Sequence, residues 1–325
     1  MKSIKKILDK NYKFKNIFVK ELYGYKNLNY FVEADNIKYV LKIYSPNNIS
    51  YSLFEAENEV MIFLSKKNRE IFPRPIKNKF DKYVFEDELN NEKKVFRLIT
   101  FIEGELFINC KTSDLLFDSF GNFVAKMNSH LLEFKNEFYK NHNSEWDINH
   151  ALLSKKYIKF IKKDDDRNIV KHFLEQFERH AISVLPTLRK SLIHNDANSQ
   201  NVLTKDGKVS AIFDFGDVVY SPLINELAVA ISYTILERKN PLLLAKTFVK
   251  AYHKVLPLKK EEIEILYYLI PARLCTSVCH SSNNKTLNPD NEYISAFEEP
   301  ALNLLNEWKK INPEDAKKEF LDAII

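Results

Sequence analysis

The hydrophobic pattern of this chain shifts from mainly strand-like to mainly helical between Leu98 and Glu105, and that shift constrains the fold more than any other feature. Before it, short segments rich in aromatic and β-branched residues, such as Phe18 to Leu22, alternate with turn residues, as is typical of antiparallel strands, and one segment, Leu53 to Leu64, has helical spacing. After it, most apolar residues recur at helical spacing, and the predicted helices include Lys155 to Ile161. The pattern predicts an α+β chain with a β-sheet N-terminal lobe (1–98), a hinge (99–105) and a larger, mainly helical C-terminal lobe (106–325).

Composition and charge exclude several classes of protein. The chain has 325 residues and a formal net charge of +5, and its Lys residues are scattered among acidic ones, so we expect no nucleic-acid partner. No apolar run approaches the about 18 residues of a membrane span, and the Lys-interrupted N-terminus does not have the form of a secretory signal. Three cysteines make no disulfide framework. We therefore expect a cytoplasmic protein away from membranes, with no prediction of its oligomeric state.

A short segment without helical pattern interrupts the C-terminal lobe. It reads SLIHNDANSQNVLTKDGKVSAIFDFGDVVYSP and runs from Ser191 to Pro222. Its first strand leads into His194 and Asp196, and Asn201 follows five residues later. A hairpin around Asp206 and Gly207 then delivers Asp214. This ordered set of polar residues is far more specific than an isolated H-x-D.

The residue types of this segment suit phosphoryl transfer. That reaction needs a carboxylate near the attacking hydroxyl, oxygen ligands for Mg²⁺ and a cation on the phosphates. Mg²⁺ prefers hard oxygen donors and few protein ligands. Asn201 and Asp214 meet that need if the hairpin brings them together, and Asp196 would then face the acceptor hydroxyl as base or positioner.

The segment resembles the catalytic segment of the aminoglycoside phosphotransferase and choline kinase superfamily. Protein kinases share its H-x-D-x-x-x-x-N and D-F-G patterns. The resemblance implies a bilobal protein-kinase-like fold, with Asp196 as catalytic base and Asn201 and Asp214 as Mg²⁺ ligands. The segments FDFGDVVYSPLINELAVAISY, ARLCTSVCHSSNNKTLNPDNEY and LYGYKNLNYFVEA are similar to the hydroxylysine kinase branch.

The resemblance also implies a nucleotide site in the N-terminal lobe. Lys42, in the strand YVLKIY, is expected to hold the phosphates of ATP or GTP, since an isolated charge in an apolar strand is costly unless paired. Its expected partner is Glu57, although Glu55 and Glu59 lie on the same predicted helix. The G-x-G-x-x-G loop of protein kinases is absent.

Three further residues are expected to contact the nucleotide in place of that loop: Gly24, Tyr25 and Asn27. Backbone groups between Leu98 and Glu103 are expected to bind the base, beside apolar side chains such as Val40 and Ile212 or Phe213.

The acceptor is expected to bind to the C-terminal lobe. Asp217 and Glu226 are candidates for an acceptor amine, although Glu226 could instead brace its helix. Arg273 could bind an acceptor carboxylate or form a structural ion pair. Asn291 and Tyr293 lie in the segment similar to the hydroxylysine kinase branch and are expected to line the same pocket.

The predicted activity is therefore that of a Mg²⁺-dependent kinase acting on a small hydroxylated amine or amino acid of hydroxylysine type. An aminoglycoside, homoserine or choline-type kinase is the alternative. A catalytically inactive kinase-like nucleotide-binding module is a second alternative, of another class; the presence of Lys42, Asp196, Asn201 and Asp214 argues against it.

Overall fold

The chain divides into two compact units. The computed structural model describes residues 1–22, 27–48, 50–111, 113–287 and 297–325. The first unit comprises residues Met1–Gly104 together with Ala211–Phe213, and the second comprises Glu105–Ser210 and Asp214–Ile325. The boundary at Gly104 falls inside the predicted hinge.

The first unit is an antiparallel sheet with two helices. The strands lie in the order β1-β2-β3-β6-β4, and β5 pairs with the same edge of β6 as β4 does. The helices are α1 (Lys2–Tyr12) and α2 (Tyr51–Lys67); the strands are β1 (Phe18–Leu22), β2 (Leu28–Ala34), β3 (Ile37–Tyr44), β4 (Pro75–Ile76), β5 (Val84–Leu89) and β6 (Glu92–Thr100).

Side chains on the two faces of this sheet pack against different helices. Leu41 of β3 and Phe96 of β6 belong to one hydrophobic cluster with Ile4 and Leu8 of α1. On the other face, Tyr44 and Val95 cluster with Phe54 of α2. Because side chains alternate along a strand, Lys42 lies on the same face as Tyr44, the face that α2 covers.

Helix α1 was not among the predicted elements. Its apolar residues Ile4, Ile7 and Leu8 are buried and follow the i, i+3, i+4 spacing of an amphipathic helix. The many Lys residues of this segment occupy the opposite face and are exposed. The spacing of the apolar residues therefore indicated a helix, although the many Lys residues made the segment polar on average.

The second unit is mainly helical. Its strands form two small sheets, β10-β9-β7 and β11-β8. The strands are β7 (Glu105–Leu106), β8 (Lys190–Ile193), β9 (Val202–Lys205), β10 (Lys208–Ile212), whose last two residues fall in the first unit, and β11 (Val219–Pro222). The helices are α3 (Asp114–Leu131), α4 (Phe138–Asn141), α5 (Asp164–His180), α6 (Leu223–Thr234), α7 (Pro241–Val255), α8 (Lys260–Leu287), α9 (Glu298–Trp308) and α10 (Pro313–Asp322).

The long helix α8 occupies the centre of this unit. It packs against α5, α6, α9 and α10, and its residues from Leu269 to Cys279 are buried without interruption. It also packs against a 3₁₀ segment, Ile148–Phe160. The predicted helix from Lys155 to Ile161 is thus only the end of a longer 3₁₀ segment. Among the described residues, no helix is long and apolar enough to cross a membrane.

Helices α3 and α7 approach most closely at Gly121. A Cβ atom built there would lie 2.8 Å from the Cβ of Ala251 and 2.8 Å from the backbone oxygen of Phe248. Gly121→Ala should therefore destabilise the protein by about 1–3 kcal/mol through overpacking, although Ala favours helices over Gly by about 1 kcal/mol. A thermal melt checks this, with the exposed Lys126→Ala of α3 as control. An unchanged or higher midpoint in Gly121→Ala would contradict the close contact.

Candidate active site

The candidate site of the second unit is built on the loop between β8 and β9. Strand β8 lies antiparallel to β11, with Ile193 opposite Val219. His194 directly follows β8, and Val218 directly precedes β11. The pairing of these two strands therefore places the H-x-D loop beside the residues that follow D-F-G, although about two dozen residues separate them in sequence.

A buried carboxylate holds the backbone of this loop. Both oxygens of Glu226, in the first turn of α6, accept backbone hydrogen bonds: Oε2 from His194 N–H, and Oε1 from Asn195 N–H at 3.2 Å. Burial raises the pKa of Glu226 to about 8, against the effect of these two bonds, which lowers it. The carboxylate is fully buried behind the loop. These contacts resemble the alternative in which Glu226 braces its own helix, except that Glu226 braces the loop after β8.

The imidazole of His194 links the loop to the D-F-G segment. Its ring meets the ring of Phe215 edge to face, with centroids 4.7 Å apart. Its Nδ1 accepts a hydrogen bond from the backbone N–H of Asp196 at 3.2 Å. The neighbouring Asn195 has a positive φ of 64°, an uncommon conformation that Asn adopts more readily than most residues. His194 therefore sets the position of Asp196 through the backbone.

The carboxylate of Asp196 is held by three donors. Oδ1 accepts from Asn198 Nδ2 at 2.9 Å and from Arg273 Nη2 at 3.3 Å. Oδ2 accepts from Asn201 Nδ2 at 2.6 Å. Its side chain remains 21% exposed, so a ligand could still reach it. The predicted base and one predicted metal ligand are therefore in direct contact.

The surroundings of Asp196 favour its neutral form. Burial is the largest cause, and the nearby carboxylate of Asp217 adds to it; together they raise the pKa of Asp196 to about 7. Arg273 and the hydrogen bond from Asn198 act in the opposite direction, and Asp214 raises the pKa further. Such a value suits a group that exchanges a proton near neutral pH.

Arg273 lies at the end of a stack of aromatic rings. Its guanidinium is 5.1 Å from the ring centroid of Trp146 and 5.5 Å from that of Tyr233. Nε donates to the hydroxyl of Tyr233 at 3.1 Å, and Nη1 donates to the backbone oxygen of Trp146. Trp146 in turn stacks on His280, with centroids 4.6 Å apart. The side chain of Arg273 is buried and directed at Asp196, so its role in acceptor binding stays a prediction.

Asn201 and Asp214 fit the metal site that was predicted for them. Nδ2 of Asn201 donates to both the backbone oxygen and the carboxylate of Asp196, which leaves its oxygen as the atom for a cation. Asp214 lies near enough to Asp196 to raise the pKa of that residue. Hard oxygen donors of this kind suit Mg²⁺, which also takes ligands from substrate phosphates. The described residues contain no group of three His, Cys, Asp or Glu side chains that would hold a metal alone.

The remaining acceptor candidates divide into two groups. Asp217 ends a 3₁₀ turn, Phe215–Asp217, and lies close enough to Arg273 and Asp196 to influence both. Asn291 and Tyr293 lie outside the described residues. Asp217 is therefore a neighbour of Asp196.

The first unit brings Glu57 to the sheet face that carries Lys42. Glu57 is 6% exposed, whereas Glu55 and Glu59 are exposed. This difference selects Glu57 as the acid of α2 that faces the sheet. Its contact with Lys42 stays a prediction; the partner that the structure gives it is Arg97 of β6.

Sequence reasoning did not single out Arg97. Its side chain is almost completely buried, and Nη2 also donates to Oδ1 of Asn58 at 2.7 Å. Burial by itself would lower the pKa of Arg97, but Glu57 and Tyr44 outweigh it and hold the pKa above its usual value. The signal that could have found Arg97 is the one that identified Lys42: a single charge inside an apolar strand.

The predicted nucleotide contacts are only partly described. Gly24 and Tyr25 lie outside the described residues, and Asn27 precedes β2 with its backbone oxygen accepting a 3.4 Å hydrogen bond from Asn29 Nδ2. Phe31 and Phe101, both half-buried, meet edge to face at 5.1 Å. Since Val40 lies opposite Phe31 in the sheet, these apolar side chains form a surface of the kind a base can pack on.

The first two residues of the predicted hinge, Ile99 and Thr100, belong to strand β6. Strand β6 continues to Thr100 and is paired with β3 throughout Leu98 and Ile99. The N–H of Phe101 donates to the backbone oxygen of Lys38 at 3.2 Å. The segment beyond the strand pairing is therefore Phe101 to Gly104.

Comparison with known proteins identifies the family. The family model of the phosphotransferase enzyme family matches residues 22–263. The chain belongs to that family. This membership confirms the predicted enzyme class.

Individual proteins similar to this chain are also kinases. A hydroxylysine kinase of Xenopus laevis is 25% identical over 312 residues, covering 88% of this chain and 83% of the relative. A homoserine kinase of Methylobacillus flagellatus is 27% identical over 242 residues, covering 74% and 70%. The structure of an amicoumacin kinase in complex with AMP-PNP, Ca²⁺ and Ami has a TM-score of 0.73 at 16% identity, covering 96% of this chain and 94% of that one. The likeness confirms the predicted fold class.

The contacts of Glu226 predict how its replacement would act. Glu226→Ala should leave two buried N–H groups without acceptors, which costs about 1–3 kcal/mol for each, and should release the loop that carries Asp196. We expect a lower melting midpoint together with a large loss of kcat, and a smaller effect for Glu226→Gln, which keeps one carbonyl oxygen. Melting curves and steady-state kinetics check this. A variant with a normal midpoint and kcat but a raised KM for the acceptor would instead support direct acceptor binding.

The charge of Arg273 predicts a shift in pH dependence. Asp196 must be ionised to accept a proton, so kcat/KM should rise with pH through the pKa of Asp196, which is about 7. Because Arg273 lowers that pKa, Arg273→Met should raise it and move the acidic limb to higher pH, on the order of one unit. Arg273→Lys should move it less. The control is Arg189→Met, which loses an ion pair with Glu262. If the acidic limb of the kcat/KM profile has the same midpoint in Arg273→Met and in this control, the predicted effect of Arg273 on Asp196 is contradicted.

Proposed function

We propose that this chain transfers the γ-phosphoryl group of ATP or GTP to a hydroxyl group of an amino acid or amino alcohol of hydroxylysine type. The observation that carries the proposal is the environment of Asp196. This carboxylate is oriented by three donors and remains accessible, with Asp217 and Asp214 close by. Membership of the phosphotransferase enzyme family supplies the reaction type.

In the proposed reaction Asp196 receives the proton of the acceptor hydroxyl. The alcohol oxygen then attacks the γ-phosphorus, and the bond between that phosphorus and the β,γ-bridging oxygen breaks. Asn198 and Asn201 hold the two carboxylate oxygens of Asp196, which fixes the direction in which it accepts the proton. Positioning of this kind, with a base near its optimum pKa, contributes about 10²- to 10⁴-fold in rate.

Asn201 and Asp214 would hold Mg²⁺ in this proposal, and the metal would neutralise charge on the phosphates when bound. The amide oxygen of Asn201 is the atom left for this role, because Nδ2 is directed at Asp196. Asp214 would supply the carboxylate. A nucleotide donor used with a divalent metal accords with the amicoumacin kinase, which was solved with AMP-PNP and Ca²⁺.

Lys42 would hold the nucleotide phosphates, with Glu57 as its partner. The half-buried surface made by Phe31, Val40 and Phe101 would receive the base. Backbone groups between Phe101 and Gly104 would bind the edge of the base. Recognition through backbone groups accommodates either ATP or GTP.

The acceptor would lie against Asp217, whose carboxylate suits an amine. Arg273 could contribute to an acceptor carboxylate only through N–H groups other than the three that bind Tyr233, Trp146 and Asp196. The similarity to hydroxylysine kinase and homoserine kinase favours a hydroxylated amino acid over an aminoglycoside. A cytoplasmic location, and the absence of nucleic-acid and membrane partners, stay predictions.

A phosphorylation screen tests this proposal. Hydroxylysine, homoserine, choline, ethanolamine and aminoglycosides are each offered with ATP and with GTP. We expect turnover of hydroxylysine or a closely related amino acid, which carries an amine for Asp217. Turnover of aminoglycosides alone would contradict the proposed acceptor class. A nucleotide thermal shift that needs no Mg²⁺, with no turnover of any acceptor, would favour an inactive nucleotide-binding module.

Replacing the base and the metal ligand should separate two functions. Asp196→Asn should lower kcat by about 10²- to 10⁴-fold while nucleotide binding survives, because only the proton acceptor is lost. Asp214→Asn should instead weaken metal-dependent nucleotide use. Steady-state kinetics and nucleotide titrations with and without Mg²⁺ measure both effects. Unchanged turnover in both variants would contradict the mechanism.

A further inference from the structure

Arg97 and Lys42 lie side by side on the sheet face that α2 covers. Strands β3 and β6 are antiparallel neighbours, and Lys42 is directly opposite Arg97 in their register. Directly opposite residues project from the same face, with Cβ atoms about 4.5–5.5 Å apart. The next pair on that face, Tyr44 and Val95, packs against Phe54 of α2. Two cations therefore stand next to each other beneath one helix.

Two adjacent like charges on a buried face require an anion between them. Like charges directly opposite one another in a sheet are destabilising. Helix α2 presents Glu57 to this face, and one of its oxygens, Oε2, is bound by Arg97 Nη1. Both side chains of this pair are nearly inaccessible, with 2% of Arg97 and 7% of Glu57 exposed. The carboxylate of Glu57 is thus held against Arg97, on the sheet face that carries both cations.

Three contacts with α2, beside a hydrogen bond with Tyr44 of β3, hold the guanidinium of Arg97. Besides Glu57, it binds Oδ1 of Asn58 at 2.7 Å through Nη2. It also stacks on Phe54 of the same helix, 4.6 Å from the ring centroid. All three partners belong to α2, so Arg97 ties this helix to β6 through both charge and packing.

We propose that Arg97 is a positioning residue for nucleotide binding: by holding Oε2 of Glu57 and fastening α2 to the sheet, it keeps Oε1 of Glu57 available to Lys42. The inference rests on the proposed function of Lys42. The rigid fork of Arg97 binds α2 at two polar atoms, which the single ammonium of Lys42 cannot do. In this proposal Lys42 and Glu57 pair before nucleotide arrives, because Arg97 fastens α2 to the sheet.

Nucleotide binding by five variants tests this role. The variants are Arg97→Met, Arg97→Lys, Glu57→Gln, the double variant Arg97→Met with Glu57→Gln, and the control Lys94→Met. Lys94 lies on the same strand but pairs at 2.7 Å with the exposed Glu92. The dissociation constant for ATP or GTP with Mg²⁺ is measured well below each melting midpoint, together with KM for nucleotide and for acceptor.

We expect Arg97→Met to weaken nucleotide binding about tenfold, with KM for the acceptor unchanged, because only the position of Lys42 is disturbed. Arg97→Lys should give a smaller loss, since it keeps the charge and loses one of the two polar contacts. The double variant leaves no buried carboxylate unpaired, so it remains folded if Arg97→Met does not. It should bind nucleotide no worse than Glu57→Gln alone, because the two residues act through one contact.

Two outcomes would overturn the proposal, and they are distinguishable. If wild type binds nucleotide and Arg97→Met binds it equally well at a lower melting midpoint, Arg97 has a structural role only. The same conclusion follows if the fold losses in nucleotide affinity caused by Arg97→Met and by Glu57→Gln multiply in the double variant. If wild type itself binds no nucleotide, the proposed function fails as well, and the role of Arg97 with it.

Discussion

A buried carboxylate holds the backbone of the loop that carries Asp196. Glu226 accepts the backbone N–H groups of His194 and Asn195. Because the bonds go to the backbone, they set the direction in which the next residue, Asp196, leaves the loop. The first turn of α6 thereby determines where the proposed base stands.

In each unit a buried arginine pairs with a carboxylate of proposed function. Arg97 binds Glu57 in the first unit, and Arg273 contacts Asp196 in the second. Both guanidinium groups also stack on aromatic rings, which offsets part of the cost of burying the charge. The two arrangements differ in consequence, since Glu57 is proposed to act on Lys42 whereas Asp196 is proposed to take part in the reaction itself.

Much of the fold could be predicted because local pattern and local structure agree. Strand β1 was predicted at the residues where it occurs, Phe18 to Leu22, and the hairpin around Gly207 has the positive φ of 73° that its turn requires. Helix α1 was missed since its Lys residues lower the average hydrophobicity of a segment whose spacing is helical. For the site, motif spacing selected Asp196 and Asn201, which the structure places in contact.

The sequence by itself determined which chemical groups are present and in which order: a strand lysine, an H-x-D loop with its asparagine, and D-F-G after a hairpin. Only the tertiary structure decided which groups face one another. It placed the carboxylate of Glu226 behind the loop, where it accepts two backbone N–H groups, and it paired Glu57 with Arg97. The reason is physical: a buried charge needs a partner, and that partner comes from whichever element packs against it, at a distance along the chain that no local pattern records.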